Sequence, residues 1–340
     1  MNNNVRIWRL VTVLLVLAAT ASALSGCKKE IKPKNRIFYE YFDTVSTIYD
    51  YSGGSDDDFK ANVALFEERL EYYHRLFDIY NEYDGINNLA TVNRLAASGD
   101  VKVDEALIEF LEYAVEIHGL TGGNTNIAMG SVLSIWHKYR EAGKEIPGES
   151  ELRAAAEHTD IKNLVIDREK LTVRFLDSLM SLDVGAIAKG YAVERIAEEL
   201  IARGVSAYVL DVGGNLRAIG SKIDGGTWRT GVQNPDFTAK ERYVYYLNIK
   251  DTSVVTSGDY QRYYTVDGVR YHHIISKDTL LPAEYFSSVT IVTRDSGLAD
   301  ALSTALFNMD YESGLQLVSS LDNVSAIWVT KDGEVKKYGI

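Results

Sequence analysis

One stretch near the C-terminus combines a carboxylate and a hydroxyl at a spacing that permits metal chemistry. In residues 298–307, Asp300 and Thr304 are four apart, so they share one face of a helix. Their neighbours are almost all apolar, and a buried carboxylate costs free energy unless a partner satisfies it. Two interpretations are open: a helix-dipole aspartate beside a threonine bonded to a backbone carbonyl, or a hard-cation site. A carboxylate, a hydroxyl, a backbone carbonyl and phosphate oxygens together would suit Mg²⁺.

A second stretch, residues 182–192, has a pattern typical of phosphate binding. Its sequence, LDVGAIAKGYA, predicts a strand that ends in Asp183, a turn of small residues and the start of a helix. Amides at a helix N-terminus attract phosphate, small residues let it approach, and Lys189 adds a cation. Small residues at such a turn also occur for packing alone, and neither the Walker nor the dinucleotide glycine spacing is present. The Gly-Gly-Asn turn at residues 213–215 is ambiguous in the same way.

A third stretch places two histidines after a tight turn. Residues 257–259, Ser-Gly-Asp, follow one strand, and His272 and His273 lie on the next. Side chains alternate along a strand, so we expect one histidine at the surface and the other facing inward, where it can contact a phosphate. Adjacent histidines lack the spacing of zinc ligands. A hydrolase triad of Ser257, His273 and an aspartate is an alternative, but the G-x-S-x-G motif is absent from the sequence.

Hydrophobic periodicity predicts the elements that must position these residues. Helices are predicted over residues 56–80, 104–121, 186–203 and 297–308, the last capped by Ser296. Strands are predicted over residues 38–51, 163–166, 172–175, 180–184, 207–212, 243–249, 253–257, 262–266, 288–292, 326–330 and 335–338. Many hairpin strands beside a few long helices, without a repeating doubly wound order, predict an α+β fold. We expect mixed or antiparallel sheets with packed helices in one compact catalytic unit, residues 37–340.

The N-terminus predicts export. Two arginines precede an apolar run over residues 10–23, which is typical of a secretory signal and short for a membrane span. The run ends in Leu-Ser-Gly-Cys, the form of a lipobox. We therefore expect a lipoprotein signal peptide over residues 1–26, a lipidated Cys27 and a tether over residues 27–36, with a free thiol as the alternative. The lipid would hold the protein at the outer face of the cytoplasmic membrane, or on the periplasmic side of a membrane.

The composition limits the partners and the sources of stability. The formal net charge is −12, and removal of the two N-terminal arginines would make it more negative. An acidic surface repels nucleic acid, so we expect no nucleic-acid partner. It also makes a polyanionic substrate hard to hold unless a metal or local cations neutralise it. With one cysteine in the chain, no internal disulfide can form, so core burial must supply the stability.

Taken in order, these stretches resemble the ApbE family of flavin transferases, the FAD:protein FMN transferases. The resemblance runs from about residue 42 to residue 338, nearly all of the chain after the signal. It is carried by FDT at 42–44, FDIY at 77–80, NIAMG at 126–130, LDVGAIAKGYAVE at 182–194, VLDVGGNLRAIG at 209–220, TSGDYQRYY at 256–264, HHII at 272–275 and ADALSTALF at 299–307.

The resemblance implies roles for individual residues. FAD contacts are implied for eight of them: Phe42, Tyr80, Asn124, Thr125, Asn126, Asp183, Lys189 and His273. Among these, Tyr80 would line the flavin and His273 the phosphates. Metal ligation is implied for the carbonyl of Ala186 and the side chains of Asp300 and Thr304. Asp300 and His273 are the candidate catalytic residues.

Two departures from the family pattern bear on this site. Asn126 stands where an aspartate is usual, which removes one charge but leaves the implied metal ligands untouched. After His-Ile-Ile the family continues with Asp-Pro and a Thr-Gly turn, whereas residues 276–282 read SKDTLLP. The shape of this loop, and acceptor recognition with it, is therefore open.

The resemblance implies Mg²⁺-dependent transfer of the FMN moiety of FAD to a threonine of an acceptor protein, with release of AMP. Asp300 would accept the hydroxyl proton as well as bind the metal. The acceptors would be membrane redox subunits or exported flavoproteins with a threonine in a short motif. Two rivals are an FAD pyrophosphatase that gives FMN and AMP, and a non-catalytic flavin-binding or solute-binding lipoprotein. The Asp300–Thr304 pair favours chemistry over passive binding.

Overall fold

An eight-stranded sheet runs through the part of the chain that the computed structural model describes, residues 32–340. The α-helices are α1 (Asp56–Phe77), α2 (Leu89–Leu95), α3 (Glu105–Leu120), α4 (Gly130–Ala142), α5 (Glu149–Ala156), α6 (Ala188–Ala202), α7 (Ser296–Phe307) and α8 (Tyr311–Ser319). The strands are β1 (Lys34–Phe38), β2 (Ser46–Asp50), β3 (Val101–Lys102), β4 (Leu164–Asp167), β5 (Thr172–Phe175), β6 (Tyr208–Val212), β7 (Asn215–Ile219), β8 (Trp228–Gln233), β9 (Tyr243–Ile249), β10 (Thr252–Gly258), β11 (Tyr263–Val266), β12 (Val269–His272), β13 (Phe286–Thr293), β14 (Ser325–Thr330) and β15 (Val335–Tyr338).

The large sheet has the strand order β1-β2-β6-β7-β10-β13-β14-β15, and all its neighbouring pairs are antiparallel. Strands such as β6 and β13 are rich in β-branched and aromatic residues, which fit a pleated and largely buried surface. Three smaller antiparallel sheets accompany it, with the orders β3-β5-β4, β8-β9 and β11-β12. The predicted α+β class is therefore confirmed.

Helices α6 and α7 pack against each other and against the large sheet. Almost every residue of α7 is buried, as expected for a helix whose apolar residues lie on all sides. The two helices approach closely at Gly190, because a Cβ atom there would lie 2.3 Å from the carbonyl oxygen of Ser296. Only glycine permits this approach, which brings the first turn of α6 against Asp300.

One predicted strand proves to be two. Residues 38–51 comprise the end of β1, a connecting turn and then β2. Phe42 and Asp43 lie in that turn with φ values of 56° and 50°, in the left-handed region. A straight strand cannot contain two such residues.

A second predicted strand, residues 180–184, is extended but does not join a sheet. The Asp183 N–H donates to the carbonyl of Ile127 (2.8 Å). Asn93 makes two hydrogen bonds to Leu182, donating to its carbonyl (2.9 Å) and accepting from its N–H (2.7 Å). Alternation of apolar residues identified an extended segment here, but a side-chain amide and a 3₁₀ turn take the place of a partner strand.

Four predicted helices are confirmed as α1, α3, α6 and α7, with small differences at their ends. The cap of α7 is Asp295, whose carboxylate accepts the N–H of Leu298, and Ser296 is the first helical residue. Four further helices, α2, α4, α5 and α8, were not predicted. Of these, α4 matters most, because it contributes to the candidate site.

Residues 33–340 form one compact unit. Strand β1 begins at Lys34, so the last three residues of the predicted tether belong to the sheet. The predicted signal peptide, Cys27 and the tether up to residue 31 lie outside the described residues. Within residues 32–340, no helix has both the length and the apolar composition that a membrane span requires.

Candidate active site

A cavity of about 700 Å³ opens beside α6 and α7. Its volume is in the range of small-molecule sites. All eleven residues implied as cofactor or metal contacts line it: Phe42, Tyr80, Asn124, Thr125, Asn126, Asp183, Ala186, Lys189, His273, Asp300 and Thr304. The fold thus brings together residues that are far apart in the described chain.

Asp300 is almost wholly buried in the wall of this cavity, with 5% of its surface exposed. Its Oδ2 accepts hydrogen bonds from the Gly190 backbone N–H (2.8 Å) and from Asn215 Nδ2 (3.1 Å). Lys189 Nζ lies 4.0 Å from the same oxygen. Burial raises the pKa of the Asp300 carboxyl, and Lys189 and the two N–H donors oppose that rise without cancelling it. The carboxylate is therefore short of nearby positive charge.

The interpretation of Asp300 as a helix-dipole residue is wrong. Helix α7 begins at Ser296, so Asp300 lies beyond the first turn, where the dipole effect has faded. Thr304, one turn further on, has its hydroxyl 3.4 Å from Ser257 Oγ, and its contact is a hydroxyl rather than a backbone carbonyl. Both side chains line the cavity, so the pair faces a space for a ligand.

The donor set at this wall fits a hard divalent cation. Asp300 Oδ1 accepts no hydrogen bond from the described residues, which leaves it available to a ligand. Thr304 and Ala186 line the same cavity and supply a hydroxyl and a backbone carbonyl. Mg²⁺ characteristically binds one or two carboxylates and keeps waters and substrate phosphates as its other ligands. Within residues 32–340, no group of three or more His, Cys, Asp or Glu side chains is arranged to hold a metal.

Three cationic side chains line the cavity: Lys189, Arg140 and Arg262. Lys189 is the second residue of α6, so it lies where the helix N-terminus presents backbone N–H groups. The net charge of −12 requires local cations around a polyanionic substrate. These three side chains supply cations at one place, but five carboxylates line the same cavity, so a bound metal ion would still be needed to neutralise a polyanionic substrate.

His273 follows β12 and holds a neutral ring in the cavity. Burial, then the nearby Arg262 cation, lowers its pKa to about 3. Its Nδ1 lies 3.2 Å from the carbonyl oxygen of Arg262, so in the neutral ring Nδ1 carries the proton and donates it there. The other nitrogen, Nε2, is then unprotonated and can accept a hydrogen bond or a proton from a hydroxyl.

The expectation of one surface histidine is wrong, because His272 lies in the core. It is 5% exposed, its Nε2 is 2.9 Å from the carbonyl oxygen of Ala283, and its ring meets Phe307 edge-on. Burial lowers the pKa of His272 to about 4. The alternation rule identified two opposite sides correctly, but α7 covers the side that we expected to face solvent.

The alternative of a Ser–His–Asp hydrolase has no geometric support. Ser257 Oγ lies 2.8 Å from Ser303 Oγ and 3.4 Å from Thr304 Oγ1. Among the contacts of the described residues, none joins Ser257 to His273. Ser257 therefore helps to position Thr304 and has no adjacent base.

Tyr80 marks the rim of the cavity, in the turn after α1, and is 63% exposed. Asp78 shapes that turn by accepting the Tyr80 N–H (2.7 Å). The Tyr80 hydroxyl lies 2.6 Å from His137 Nδ1, and burial lowers the pKa of His137, so the neutral ring can accept a hydrogen bond from the hydroxyl. His137 Nε2 in turn lies 3.9 Å from Asp183 Oδ2. This contact chain holds an aromatic ring at the cavity mouth.

The loop at residues 124–126 uses part of its hydrogen-bonding capacity within the protein. Thr125 Oγ1 donates to the carbonyl of Ala301 (2.8 Å). Asn126 Oδ1 accepts the N–H of Ala128 (2.9 Å), and its Nδ2 donates to the carbonyl of Thr159 (3.0 Å). An aspartate could make the first of these two bonds but not the second, which accounts for asparagine at this position.

The cavity residues that sequence reasoning did not assign to the site include Arg140, His137, Arg262 and Asn215. The first two lie on α4, which the hydrophobic pattern did not reveal. Arg262 and Asn215 lie within stretches that the sequence analysis had singled out, so a signal was present. Their significance depends on contacts with distant elements, which spacing alone does not show.

Residues 276–282, which depart from the family pattern, form an anchored loop. The Leu280 N–H donates to the carbonyl of Ser276 (2.8 Å), and the carbonyl of Leu280 accepts from Trp136 Nε1 (2.9 Å). Leu280 adopts a left-handed φ of 62° at this turn. The loop therefore has a defined shape, and its outer residue Asp278 lines a second cavity beside the first.

Comparison with solved structures places this architecture among known proteins. The ApbE protein of Thermotoga maritima superposes with a TM-score of 0.80 at 27% identity, over 91% of this chain and 97% of that one. The flavin transferase ApbE of Vibrio cholerae superposes with a TM-score of 0.73 at 24% identity, over 90% of this chain and 97% of that one. The second likeness establishes a shared fold.

Sequence comparison agrees with the structural one. A protein of Treponema pallidum named FAD:protein FMN transferase is 33% identical over 262 residues, 73% of this chain and 72% of that protein. A protein of Vibrio cholerae with the same name is 28% identical over 328 residues, 95% of this chain and 96% of its own length. A family model described as the ApbE family matches residues 42–328. All eleven residues implied as cofactor or metal contacts lie within that match, and the chain belongs to the ApbE family.

Proposed function

We propose that this protein transfers the FMN half of FAD to a threonine of an acceptor protein. The observation that carries the proposal is the buried Asp300, which has one oxygen free and faces a cavity lined by three cationic side chains. Such a carboxylate suits a polyphosphate that arrives with a divalent cation. The relatives named FAD:protein FMN transferase support the same reaction.

The reaction is a displacement at phosphorus. The threonine hydroxyl oxygen forms a bond to the phosphorus on the riboflavin side of FAD. The bond from that phosphorus to the bridging oxygen breaks, and AMP leaves with the bridging oxygen. Lys189, Arg140 and Arg262, which line the cavity, would orient the pyrophosphate, so the protein contributes mainly positioning and charge stabilisation.

We assign acceptance of the hydroxyl proton to His273, whose low pKa in the free protein the negative charge of the bound phosphates would raise. Asp300 Oδ2 already accepts two N–H donors, and Oδ1 is the oxygen left for a cation. The Nε2 of His273 is unprotonated, because Nδ1 faces the carbonyl of Arg262. We therefore assign proton transfer to His273 and leave charge neutralisation to Asp300.

Asp300, Thr304 and the carbonyl of Ala186 would hold Mg²⁺, which supplies neutralisation of the pyrophosphate charge. The test is mass spectrometry of an acceptor domain after incubation with the protein, FAD and Mg²⁺, with EDTA in a parallel sample. We expect the acceptor to gain one FMN on threonine and AMP to appear, both only when metal is present. An acceptor that a known transferase labels under the same conditions provides the positive control.

The same experiment separates the two rivals. Free FMN and AMP without a labelled acceptor would establish an FAD pyrophosphatase, in which water replaces the threonine hydroxyl. Intact FAD in every sample, bound in a fixed ratio to the protein, would establish a flavin-binding lipoprotein. Either result would overturn the transferase proposal.

We also propose that the protein is exported and anchored by a lipid on Cys27, on the outer face of a membrane. The lipobox at the end of the N-terminal apolar run supports this. Cell fractionation of the unmodified protein and of Cys27→Ser is the test. We expect the first in the membrane fraction with a lipid mass on its N-terminal peptide, and the second without either. Equal distribution of the two would contradict the anchor.

A further inference from the structure

A second cavity of about 450 Å³ lies next to the candidate active site. Helix α8 and the loop at residues 276–282 contribute to it. Asn124 and Asn308 line both cavities, so the two spaces meet at these residues. We call the second space the α8 groove and define it by Asn308, Asp278, Tyr285, Asp310, Gln316 and Ser320.

The α8 groove begins close to the reacting centre. Asn308 follows α7 directly, four residues after Thr304, and its Nδ2 donates to the Thr304 carbonyl (3.1 Å). Four residues of helix correspond to about 6 Å along the axis. The Asn308 end of the groove therefore lies about one helical turn from Thr304 and about two turns, roughly 12 Å, from Asp300, so a chain in the groove would place its modified residue in the active-site cavity at that end.

The junction between the two cavities contains an unused polar atom. Asn308 is 6% exposed, and its Oδ1 is shielded from solvent with no hydrogen-bond partner among the described residues. A buried carboxamide oxygen without a donor costs on the order of 1–3 kcal/mol. A rotation of the Asn308 carboxamide would turn this oxygen toward the groove, where a backbone N–H of an extended polypeptide is the kind of donor that would remove this cost.

The charge of the groove differs from that of the active-site cavity. Asp278 and Asp310 line it, and its lining residues in the described part of the chain include no lysine or arginine. The active-site cavity also contains carboxylates, but it is lined in addition by Lys189, Arg140 and Arg262, and these are the cations that a phosphate needs. Phosphates of FAD or AMP therefore belong in the first cavity. Lys277 pairs with Asp278 (2.8 Å) and Asp310 caps α8, so the groove is only weakly acidic, and it favours an uncharged or basic ligand over an anionic one.

The shape and composition of the groove suit a peptide. Tyr285 is half exposed and offers an aromatic face, and Met309 and Leu317 add apolar surface. Amide and hydroxyl groups from Asn308, Gln316 and other residues lie among these apolar patches. Alternating apolar and hydrogen-bonding contacts are how proteins recognise extended segments.

We propose that the α8 groove binds the segment of the acceptor protein that carries the modified residue. The segment lies extended, is neutral or basic, and presents its hydroxyl side chain at the Asn308 end. This inference rests on the proposed function and names the surface that selects its protein substrate. The atypical loop at residues 276–282 takes part in the selection, because it places Asp278 in the groove wall.

Two adjacent serines at the end of α8 provide a matched test. Ser319 and Ser320 are both exposed, and each hydroxyl donates to the carbonyl three residues earlier. Of the two, only Ser320 lines the groove. We expect Ser320→Arg to lower kcat/KM for the acceptor domain about tenfold or more, by blocking the groove with a large side chain. Ser319→Arg should stay within about twofold of the unmodified protein.

FAD affinity and AMP release without acceptor are measured on the same full-length proteins. We expect both to be unchanged in Ser320→Arg, since the FAD cavity is untouched. A second pair, Gln316→Lys and Gln316→Glu, tests the charge preference, and the lysine variant should lose more transfer to a basic acceptor. Tyr285→Ala removes the aromatic face and should raise the acceptor KM.

The outcomes are distinguishable. Equal acceptor kcat/KM in Ser320→Arg and Ser319→Arg would overturn the groove assignment and leave the transferase proposal intact. So would a parallel loss of FAD binding and acceptor transfer in Ser320→Arg, because the groove would then serve FAD. Absence of transfer by the unmodified protein, on an acceptor that a known transferase labels, would overturn the proposed function and this inference with it.

Discussion

Two buried carboxylates lie on the interface between α6 and α7, and the same three elements surround each of them. In the first, which we call the core layer, Glu194 of α6 meets Arg217 of β7 and Ser296 of α7. Glu194 Oε2 accepts from Arg217 Nε (3.1 Å) and from the Ser296 N–H (2.8 Å). Arg217 has no exposed surface, so this ion pair is fully internal.

The second cluster, which we call the pocket layer, repeats this arrangement one turn along each helix. Asp300 of α7 meets Asn215 of β7 and Gly190 of α6. Residues 215 and 217 lie on the same side of β7, since side chains alternate along a strand. Each carboxylate thus accepts one backbone N–H from the opposite helix and one side-chain N–H from the strand.

The difference between the layers is the charge of the strand residue. Arg217 balances Glu194 within the core, although burial still raises the pKa of that carboxyl. Asn215 donates to Asp300 but brings no charge, and Lys189 is 4.0 Å away. A carboxylate kept only for folding would gain from an adjacent cation. In the pocket layer the negative charge of Asp300 instead faces the cavity, where a cation that binds with the substrate can neutralise it.

Disrupting the core layer should have the largest effect, and this effect should be on stability and not on the rate of transfer. Arg217→Met leaves Glu194 buried without its cation, so the free energy of unfolding should fall by about 3–5 kcal/mol. Urea unfolding followed by circular dichroism measures this. The turnover number of the folded fraction at low temperature should stay within about threefold of the unmodified protein.

The double variant Glu194→Leu/Arg217→Met is the control for that result. It replaces the ion pair by apolar groups and should recover much of the lost stability, because no buried unpaired charge remains: Asp251, which also contacts Arg217, is partly exposed and keeps Arg294 at 3.3 Å. If the double variant were as unstable as Arg217→Met, the two side chains would stabilise the fold through contacts other than the neutralisation of each other's charge. A large loss of turnover at full stability would contradict the assignment of this layer to folding.

Disrupting the pocket layer should instead lower the rate of transfer and leave the stability unchanged or higher. Asp300→Asn should lower the transfer rate by about 10²–10³-fold, because the charge that neutralises the reacting phosphates is lost. Its thermal stability without metal should equal or exceed that of the unmodified protein, since a buried carboxylate is removed. Calorimetric scans with and without Mg²⁺ should show stabilisation by the metal in the unmodified protein only. Transfer near the normal rate would remove Asp300 from the site.

Separating the two helices should affect both layers together. In Gly190→Ala the new Cβ would lie 2.3 Å from the Ser296 carbonyl oxygen and 2.4 Å from the Asp300 Cβ. We expect a loss of about 1–3 kcal/mol of stability from overpacking, with reduced transfer because the Gly190 N–H moves away from Asp300. Gly119→Ala is the matched control, since a Cβ at that helical glycine meets nothing within 4 Å. That control should be neutral or slightly stabilising.

The contrast between the layers also explains how far sequence reasoning reached. Asp300 and Thr304 were identifiable because their relation is local: two polar residues four apart on an apolar helix. The turn before α6 was identifiable for the same reason. Asn215 and Arg217 belong to a stretch that the sequence analysis had noted, but their partners lie on α6 and α7, and strand alternation does not name a partner on another element.

The same distinction accounts for the incorrect elements. The alternating segment at residues 180–184 was predicted as a strand because its apolar pattern is local, whereas the amide of Asn93 that satisfies it is distant in sequence. Helix α4 starts directly after a 3₁₀ turn at a glycine and has no side-chain cap, so its sequence carries a weak start signal. His137 and Arg140 were missed with it. Local sequence patterns therefore predicted Asp300 and Thr304, at the centre of the candidate site, better than the residues contributed by α4.

Changing only the strand residue of the pocket layer should give the smallest effect. Asn215→Asp places a second carboxylate beside Asp300, and two adjacent carboxylates repel unless a cation lies between them. At low Mg²⁺ the transfer rate should fall about tenfold, which corresponds to about 1.4 kcal/mol. Raising the Mg²⁺ concentration should restore most of the rate, and a titration of rate against metal measures this. A loss that added metal does not relieve would mean that Asn215 acts by shape alone, and that the charge difference between the layers is incidental.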